Sequence, residues 1–283
     1  MHKLRITHQG HESDFFLHNE VDQFMMVSIL AGKTYPTVKH VQPKVIMDIG
    51  ANVGSTSVFF GITYPNALVY AFEPTTMNYE LLEKNTHTFP NIKTFKVGIL
   101  NENTLTSIYL NSKNPGSNSL YPEGRFFESS EEAKFINLNH FMNENKVSNI
   151  DILKIDTEGC EVTILESIVD IIPNISVIYI EYHTKKHGEI VNNLLSVSHK
   201  LNHHQLCGSI KAKIDENLQG KISLDEVKIH DQVFLAKNQA IETKHIEVLQ
   251  QYNVPTLKIV SEELGEMCWI SNSLAEKQNT ALN

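Results

Sequence analysis

Residues 44–74 read KVIMDIGANVGSTSVFFGITYPNALVYAFEP, and this stretch decides how the chain folds. It begins with the apolar run Val45–Met47, which is typical of a parallel strand that is buried on both faces. A glycine-bearing turn, Asp48–Gly54, follows the run, and a helix is predicted over Thr56–Thr63. A second apolar run then ends at the acid Glu73. The stretch therefore predicts a strand–turn–helix–strand unit with an acid at the tip of the second strand.

The turn and the acid after it predict a nucleoside site at the tips of two neighbouring strands. Gly50 and Gly54 let the backbone turn sharply where a ligand approaches. Glu73 follows Asp48 by 25 residues, close to the spacing at which an acid accepts the hydroxyls of a ribose. Asn52 stands where a dinucleotide-binding turn has its second glycine, which lets a pyrophosphate approach the backbone. The turn therefore disfavours a dinucleotide and favours a nucleoside without phosphates, such as S-adenosylmethionine.

Two blocks of the chain resemble the FkbM family of S-adenosylmethionine-dependent methyltransferases. The first block is Asp48–Gly54, DIGANVG, together with Phe72–Pro74. The second is Ile150–Glu161, IDILKIDTEGCE, which is similar to the family's lysine–x–aspartate–x–glutamate–glycine–x–glutamate pattern. The blocks occur in the family's order, and the resemblance spans residues 15–237. It implies a class I, Rossmann-like fold, in which a mostly parallel seven-stranded sheet has an antiparallel last strand, expected here at Val227–Leu235.

The cofactor is expected beyond the carboxyl ends of the strands, where the strand order reverses. Asp48 and Gly50 should meet its methionine part, and Glu73 should take its ribose. The helix that starts near Ser55 offers unpaired N–H groups to the cofactor's carboxylate. The expected cofactor-binding residues are Asp48, Gly50, Asn52, Gly54, Ser55, Glu73, Pro74, Gly98 and Asp156.

Four residues at the ends of two later strands are the catalytic candidates. Asp156 and Glu158 follow the fourth core strand, and Glu181 and His183 end the fifth. Residues two apart in a strand lie on one face, so the four can converge on one pocket. Methyl transfer to a hydroxyl needs a base, and His183 has a suitable ordinary pKa, while a buried carboxylate is the alternative. Asp156 could instead only order the turn, and Glu158 could only cap the next helix.

A metal ion is an open alternative at the same strand ends. A divalent metal held by Asp156, Glu181 and His183 is chemically reasonable, because carboxylates and imidazole bind such ions. Carboxylates that act without a metal are an equal alternative. We therefore predict S-adenosylmethionine as the cofactor and no metal site.

The chain divides into three predicted regions. Residues 1–43 form a leader with a strand and a helix that pack on the core, residues 44–237 form the S-adenosylmethionine-binding methyltransferase domain, and residues 238–283 form a helical appendage or an oligomer contact. The loop Asn111–Gly124 is rich in Asn, Ser, Gly and Pro, and Gly116–Ser119 within it resembles a small-residue motif of the family's substrate region. A plain solvated loop is an equal alternative there.

Composition limits the partners and the compartment. A formal charge of −9 and a pI near 5.9 argue against a nucleic-acid-binding surface, because phosphate contacts need clustered Lys and Arg. No apolar run approaches the ~20 residues that span a bilayer, and the N-terminus lacks a signal-peptide core. Cys160, Cys207 and Cys268 show no metal-ligand spacing, so a reduced, cytoplasmic setting is expected.

The sequence thus predicts a methyltransferase whose acceptor is a small molecule, with a homo-oligomer left open. By family resemblance, it methylates a hydroxyl on a small metabolite or sugar and releases S-adenosylhomocysteine. One alternative is an NAD-dependent reductase, which the missing glycine disfavours. Another is a non-catalytic scaffold that kept the fold, against which the four catalytic candidates count.

Overall fold

The computed structural model of the chain describes residues 2–122, 127–224, 226–229, 232–251, 254 and 256–280. Its helices are α1 Glu20–Leu30, α2 Ser55–Thr63, α3 Thr76–Thr86, α4 Leu138–Glu144, α5 Glu161–Ser167, α6 Lys185–Leu195, α7 Thr243–Gln251 and α8 Asn272–Thr280. Its strands are β1 His2–His8, β2 His11–Leu17, β3 Val45–Ile49, β4 Leu68–Phe72, β5 Ile92–Phe95, β6 Gly98–Leu100, β7 Thr104–Leu110, β8 Ser129–Asn137, β9 Ile152–Ile155, β10 Val177–Tyr182, β11 His199–Lys213, β12 Val227–Ile229, β13 Gln232–Leu235 and β14 Thr256–Ser271. Short 3₁₀ helices lie at Pro115–Ser117, Ile172–Asn174 and Glu216–Leu218.

Seven of these strands form the main sheet, in the order β11-β14-β10-β9-β3-β4-β5. The five strands from β10 to β5 run parallel to one another. Neighbouring residues of β9 pack on opposite faces: Ile152 lies in one apolar cluster with Ile46, and Leu153 lies in another with Met47. Helices cover both faces, which explains why these strands read as continuous apolar runs. The predicted class I, Rossmann-like fold is confirmed.

The antiparallel strand of this sheet is β14, so the prediction that Val227–Leu235 fills this position is wrong. The N–H of Ser271, at the end of β14, donates to the carbonyl of Ser176, just before β10, at 2.9 Å. The end of β14 therefore lies beside the start of β10, and the two strands run in opposite directions. Residues 267–270 of β14 are apolar and buried against both faces, whereas β12 and β13 pair with each other in a separate two-stranded sheet.

The chain divides into two compact units, and the division differs from the predicted boundaries. One unit comprises Met1–His204 and Glu266–Asn283, and the other comprises Gln205–Gly265. Residues 266–271 belong to the main sheet and not to a helical appendage, because the apolar side chains of residues 267–270 complete its core. The second unit has its own apolar core, which includes Leu249 and Leu257.

The leader belongs to the first unit. The N–H of Phe16 on β2 donates to the side-chain oxygen of Asn85 on α3 at 2.7 Å, and the Asn85 amide donates back to the Phe16 carbonyl at 2.9 Å. The same amide donates to the carbonyl of Val53 at 2.7 Å. Asn85 therefore ties the leader to the glycine turn after β3.

The strand order reverses between β3 and β9. From β3 the chain continues to β4 on one side, and β9 pairs with the other side of β3. Open parallel sheets bind ligands at such a point. Among the described residues, no helix has the length and apolar character that a membrane crossing requires.

Candidate active site

A cavity lies beyond the carboxyl ends of β3, β4 and β9, at the point where the strand order reverses. It encloses about 620 Å³ of space when its open mouth is included. The predicted site residues on its wall are Gly50, Asn52, Glu73, Pro74, Gly98, Asp156 and Glu158.

The turn after β3 is shaped by close contact between two strand ends. Gly50 has a φ of +78°, and a Cβ at this position would lie 1.8 Å from the carbonyl oxygen of Asp156. Glycine is therefore required at this position. Asn52 also has a positive φ, 49°, and its side-chain Oδ1 is buried without a hydrogen-bond partner. This unsatisfied acceptor on the cavity wall fits a site that is completed by a ligand.

Glu73 stands at the tip of β4 and is only 5% exposed. Its Oε2 accepts the N–H of Asn52 at 3.0 Å. Its Oε1 accepts the N–H of Thr75 at 3.0 Å and the Thr75 hydroxyl at 2.5 Å. Burial raises the pKa of Glu73, and these hydrogen bonds oppose that rise. The carboxylate is therefore held in one orientation on the cavity wall.

One wall of the cavity is apolar. Gly98, Ile99, Ile108 and Phe135 form this wall. A Cβ on Gly98 would lie 2.3 Å from the Phe135 ring, so only glycine allows the ring to pack against the backbone here. Such a surface accepts a flat aromatic base. The sequence identified Gly98 but missed Ile108 and Phe135, which lie on β7 and β8 of a separate three-stranded sheet.

The segment at Pro115 and Gly116 covers another side of the cavity. The side chain of Asn78 donates to the Pro115 carbonyl at 3.1 Å. A Cβ on Gly116 would lie 3.0 Å from the amide nitrogen of Asn52. The described part of the predicted loop 111–124 thus contacts the cavity, while residues 123 and 124 lie outside the described residues.

Asp48 does not line the cavity, in contrast to the expectation from sequence. It is fully buried, its Oδ2 accepts the Ser57 hydroxyl at 2.6 Å, and its Oδ1 lies 3.2 Å from Nζ of Lys154. Lys154 also donates to the Gly50 carbonyl at 2.6 Å and lies 3.7 Å from Oδ2 of Asp156. Burial lowers the pKa of Lys154, but Asp48 and Asp156 outweigh burial, so the pKa is raised. Lys154 therefore joins the ends of β3 and β9 as a buried cation.

Gly54 and Ser55 lie at the start of α2 and not among the residues that line the cavity. Gly54 precedes the helix with a φ of +91°, and a Cβ there would lie 2.9 Å from Cδ1 of Leu82 on α3. Ser55 is the first helical residue and is buried. These two residues serve the start and the packing of the helix.

Acidic side chains surround His183 at the ends of β9 and β10. Glu158 Oε2 lies 3.2 Å from His183 Nε2, and Glu161 Oε1 lies 3.2 Å from His183 Nδ1. Glu181 lies beside Asp156 in a pair of hydrogen-bonded carboxyl groups. The structure thus brings together the four predicted catalytic residues and adds a fifth. We call Asp156, Glu158, Glu161, Glu181 and His183 the acid cluster.

His183 is held in its charged form within this cluster. Burial lowers the pKa of His183, but Glu158 and Glu161 outweigh burial and raise the pKa to about 12. An imidazole that carries both protons at neutral pH cannot accept another. The expectation that His183 acts as a base with an ordinary pKa therefore does not fit this arrangement, and the carboxylate alternative does.

The carboxyl groups differ in protonation for clear physical reasons. Burial raises the pKa of Glu161, but His183 and the N–H of Gly159 outweigh burial and lower the pKa to about 2. Burial raises the pKa of Glu181 well above its usual value, and the neighbouring Asp156 raises it further. Two carboxylates in one buried space cannot both stay charged at low cost. Asp156 and Glu158 are the members of the acid cluster on the cavity wall.

Sequence reasoning missed Lys154 and Glu161 as site residues. Lys154 stands between Leu153 and Ile155 in a strand that is otherwise apolar. A charged side chain in a buried strand must be paired with an opposite charge. This rule is the signal by which the sequence could identify Lys154 as a site residue. Glu161 is the first residue of α5, and its position in the second block was the only sequence signal.

A family model described as the methyltransferase FkbM domain matches residues 48–208. The chain is 22% identical over 172 residues to Methyltransferase 1 of Beauveria bassiana (strain ARSEF 2860), and the alignment covers 52% of this chain and 68% of that protein. It is 25% identical over 178 residues to Methyltransferase sdnD of Sordaria araneosa, with the same two coverages, 52% and 68%.

Among solved structures, the chain resembles a methyltransferase FkbM from Methylobacillus flagellatus KT. The two are 14% identical with a TM-score of 0.41, and the match covers 60% of this chain. It spans 43% of the length of that chain.

Proposed function

The chain belongs to the methyltransferase FkbM domain family, and on this premise we propose that it transfers a methyl group from S-adenosylmethionine to an oxygen of a small-molecule acceptor. The observation that carries this proposal is the buried carboxylate of Glu73 at the tip of β4. Asn52 and Thr75 orient it on the cavity wall. An acid at this position of a Rossmann-like sheet accepts the hydroxyls of a ribose.

The remaining walls suit the other parts of the cofactor. Adenine is apolar on its faces and fits against Ile99 and Phe135. The ribose binds Glu73, which places the methionine end beside the Gly50 turn. Its amino group is cationic and binds the carboxylate of Asp156 on the opposite wall.

The turn itself argues against a dinucleotide. A pyrophosphate must approach the backbone closely, and the second glycine of a dinucleotide-binding turn makes room for it. Asn52 occupies that position, and Gly116 packs against its side chain. The alternative of an NAD-dependent reductase therefore has less support than methyl transfer.

Methyl transfer takes place at the end of the cavity that the acid cluster borders. The acceptor oxygen lies in line with the sulfonium methyl at about 3 Å. The O–CH₃ bond forms while the S–CH₃ bond breaks, and the sulfonium becomes the neutral thioether of S-adenosylhomocysteine. The hydroxyl proton passes to the carboxylate of Glu158, which lies on the wall, because Asp156 binds the amino group of the cofactor. The need for such a proton acceptor favours a hydroxyl group as the acceptor.

Binding calorimetry separates this proposal from the reductase. The purified chain is titrated with S-adenosylmethionine, S-adenosylhomocysteine and NAD in turn. We expect both adenosyl compounds to bind at one site and NAD to release no heat. Binding of NAD without binding of either adenosyl compound would overturn the proposal. Release of S-adenosylhomocysteine on addition of simple glycosides then tests the hydroxyl acceptor, and release without methylation of any oxygen argues against it.

A further inference from the structure

We propose that the acid cluster is a divalent-cation site, with Asp156, Glu161 and His183 as the protein ligands. This inference deepens the proposed function, because Asp156 borders the end of the cavity assigned to the acceptor. It concerns the binding of the ion itself, so it is tested separately from cofactor binding.

Three different elements bring the ligand atoms together. Asp156 follows β9, Glu161 begins α5, and His183 follows β10. One potential ligand atom from each residue lies within 4.8 Å of the others. Ligand atoms around one octahedral ion, at about 2.1 Å from it, lie roughly 3.0–4.2 Å apart. The three ligand atoms therefore lie near the separations that one ion requires.

Glu161 supplies a second observation that points to a ligand. It is fully buried, and its Oε1 accepts the N–H groups of Thr157 at 2.9 Å and Gly159 at 3.1 Å. Its Oε2 is buried and has no hydrogen-bond partner. An unpaired carboxylate oxygen in the interior is costly, and a protein side chain or an ion normally satisfies it. A cation bound beside Glu161 would satisfy this oxygen.

His183 has the surroundings of a metal-binding histidine. Its Nδ1 is buried without an aligned hydrogen bond, although Glu161 Oε1 lies 3.2 Å away. Its other ring nitrogen, Nε2, lies 3.2 Å from Glu158 Oε2. Histidine ligands commonly bind a metal through one nitrogen and donate the other N–H to a carboxylate, which fixes the ring. An ion at Nδ1 would therefore displace the proton that this nitrogen carries, and the proton would leave to solvent. Glu158 is placed for this supporting role.

The local balance of charge also calls for a cation. The acid cluster holds four carboxyl groups: those of Glu158 and Glu161 contact the His183 imidazole, and that of Glu181 lies beside Asp156. Besides the charged His183, the near cation is Lys154, which lies closer to Asp48, at 3.2 Å, than to Asp156, at 3.7 Å. Its charge is therefore shared with a carboxylate outside the cluster. A divalent ion at Asp156 would balance the remaining negative charge.

The ligand set selects the ion. Carboxylate oxygens favour Mg²⁺ and Mn²⁺, and an added imidazole suits a first-row transition ion. Mn²⁺ accepts both ligand types, so we use it as the probe. At the acceptor end of the cavity, such an ion would bind a hydroxyl oxygen and make its proton easier to remove. Glu158 would take that proton, and the methyl transfer would otherwise be the one proposed above.

The test is a titration of the EDTA-treated protein with Mn²⁺, followed by the electron paramagnetic resonance signal of the free ion. We expect one Mn²⁺ per chain, and we expect Glu161→Gln to weaken binding by at least about 10-fold. Asp156→Asn provides a second variant at a residue nearer the surface, in case Glu161→Gln fails to fold. The matched control is Asp170→Asn, which removes an exposed carboxylate from outside the cluster and should leave binding unchanged.

Two results would overturn the inference. One is that the wild-type protein binds no Mn²⁺ at millimolar concentration. The other is that a folded Glu161→Gln or Asp156→Asn protein binds Mn²⁺ as tightly as the wild type. A parallel titration with S-adenosylhomocysteine keeps the two proposals apart. If Mn²⁺ binds but S-adenosylhomocysteine does not, the result counts against the proposed function. If S-adenosylhomocysteine binds but Mn²⁺ does not, the result counts against the cation site.

Discussion

Replacement of Glu73 by glutamine tests the proposal that this carboxylate binds the ribose of S-adenosylmethionine. The substitution keeps the size of the side chain but turns one carboxylate oxygen into an NH₂ group. In the wild type, Oε2 accepts the N–H of Asn52 and Oε1 accepts two donors from Thr75. In either orientation of the amide, the new NH₂ group faces a backbone N–H, of Asn52 or of Thr75. An NH₂ group is a donor, so it cannot accept a hydrogen bond from a ribose hydroxyl.

The expected loss follows from these contacts. A hydrogen bond to a charged group contributes about 1.5–3 kcal/mol. Since every 1.4 kcal/mol is tenfold in affinity, Glu73→Gln should weaken S-adenosylhomocysteine binding by roughly 10- to 150-fold. The same change leaves a buried donor unpaired, so the free energy of unfolding should fall by about 1–3 kcal/mol.

The assay is calorimetry at 25 °C, with urea unfolding of each variant to establish that it is folded. The matched control is Glu102→Gln at an exposed bend, which should change neither the affinity for S-adenosylhomocysteine nor the free energy of unfolding. Burial raises the pKa of Glu73 above its ordinary value of 4.5. The affinity of the wild type for S-adenosylhomocysteine should therefore fall as the pH drops through that raised pKa, because the carboxylate becomes protonated. The glutamine variant should lack this pH dependence. A folded Glu73→Gln protein whose affinity stays within twofold of the wild type would refute the reasoning.

Two further predictions concern buried groups near the site. Lys154→Met leaves the fully buried Asp48 without its cation, so the free energy of unfolding should fall by about 3–5 kcal/mol in urea titrations; a loss below 1 kcal/mol would contradict the pairing. Burial raises the pKa of Cys160 and of Cys268 to about 12, so both stay as unreactive thiols at pH 8. Iodoacetamide should then modify only the exposed Cys207 in the native protein and all three cysteines in urea, as counted by mass spectrometry.

The part of the fold nearest the glycine turn could be predicted because its signals are local. The apolar run of β3, the positive φ of Gly50 and the acid after β4 lie within one short stretch. The place of β14 could not be predicted in this way. Its partner β10 lies some 80 residues earlier in the chain, and pairing between distant strands leaves little trace in local periodicity.

The roles of site residues depended on contacts that no spacing reveals. Asp48 was expected on the cavity wall, but the register of β3 and β9 sets it directly beside Lys154. The identity of His183 as a site residue followed from its place after a strand. The protonation state of His183 did not follow from the sequence, because it depends on the contact with Glu161 at the start of α5.

The most direct test of the central claim is a crystal structure with S-adenosylhomocysteine. We expect both ribose hydroxyls to lie within about 3 Å of the Glu73 carboxylate, with adenine against Phe135 and the thioether sulfur facing Asp156. A ribose that lies beyond the reach of a bridging water from Glu73, or a ligand bound elsewhere on the chain, would contradict it.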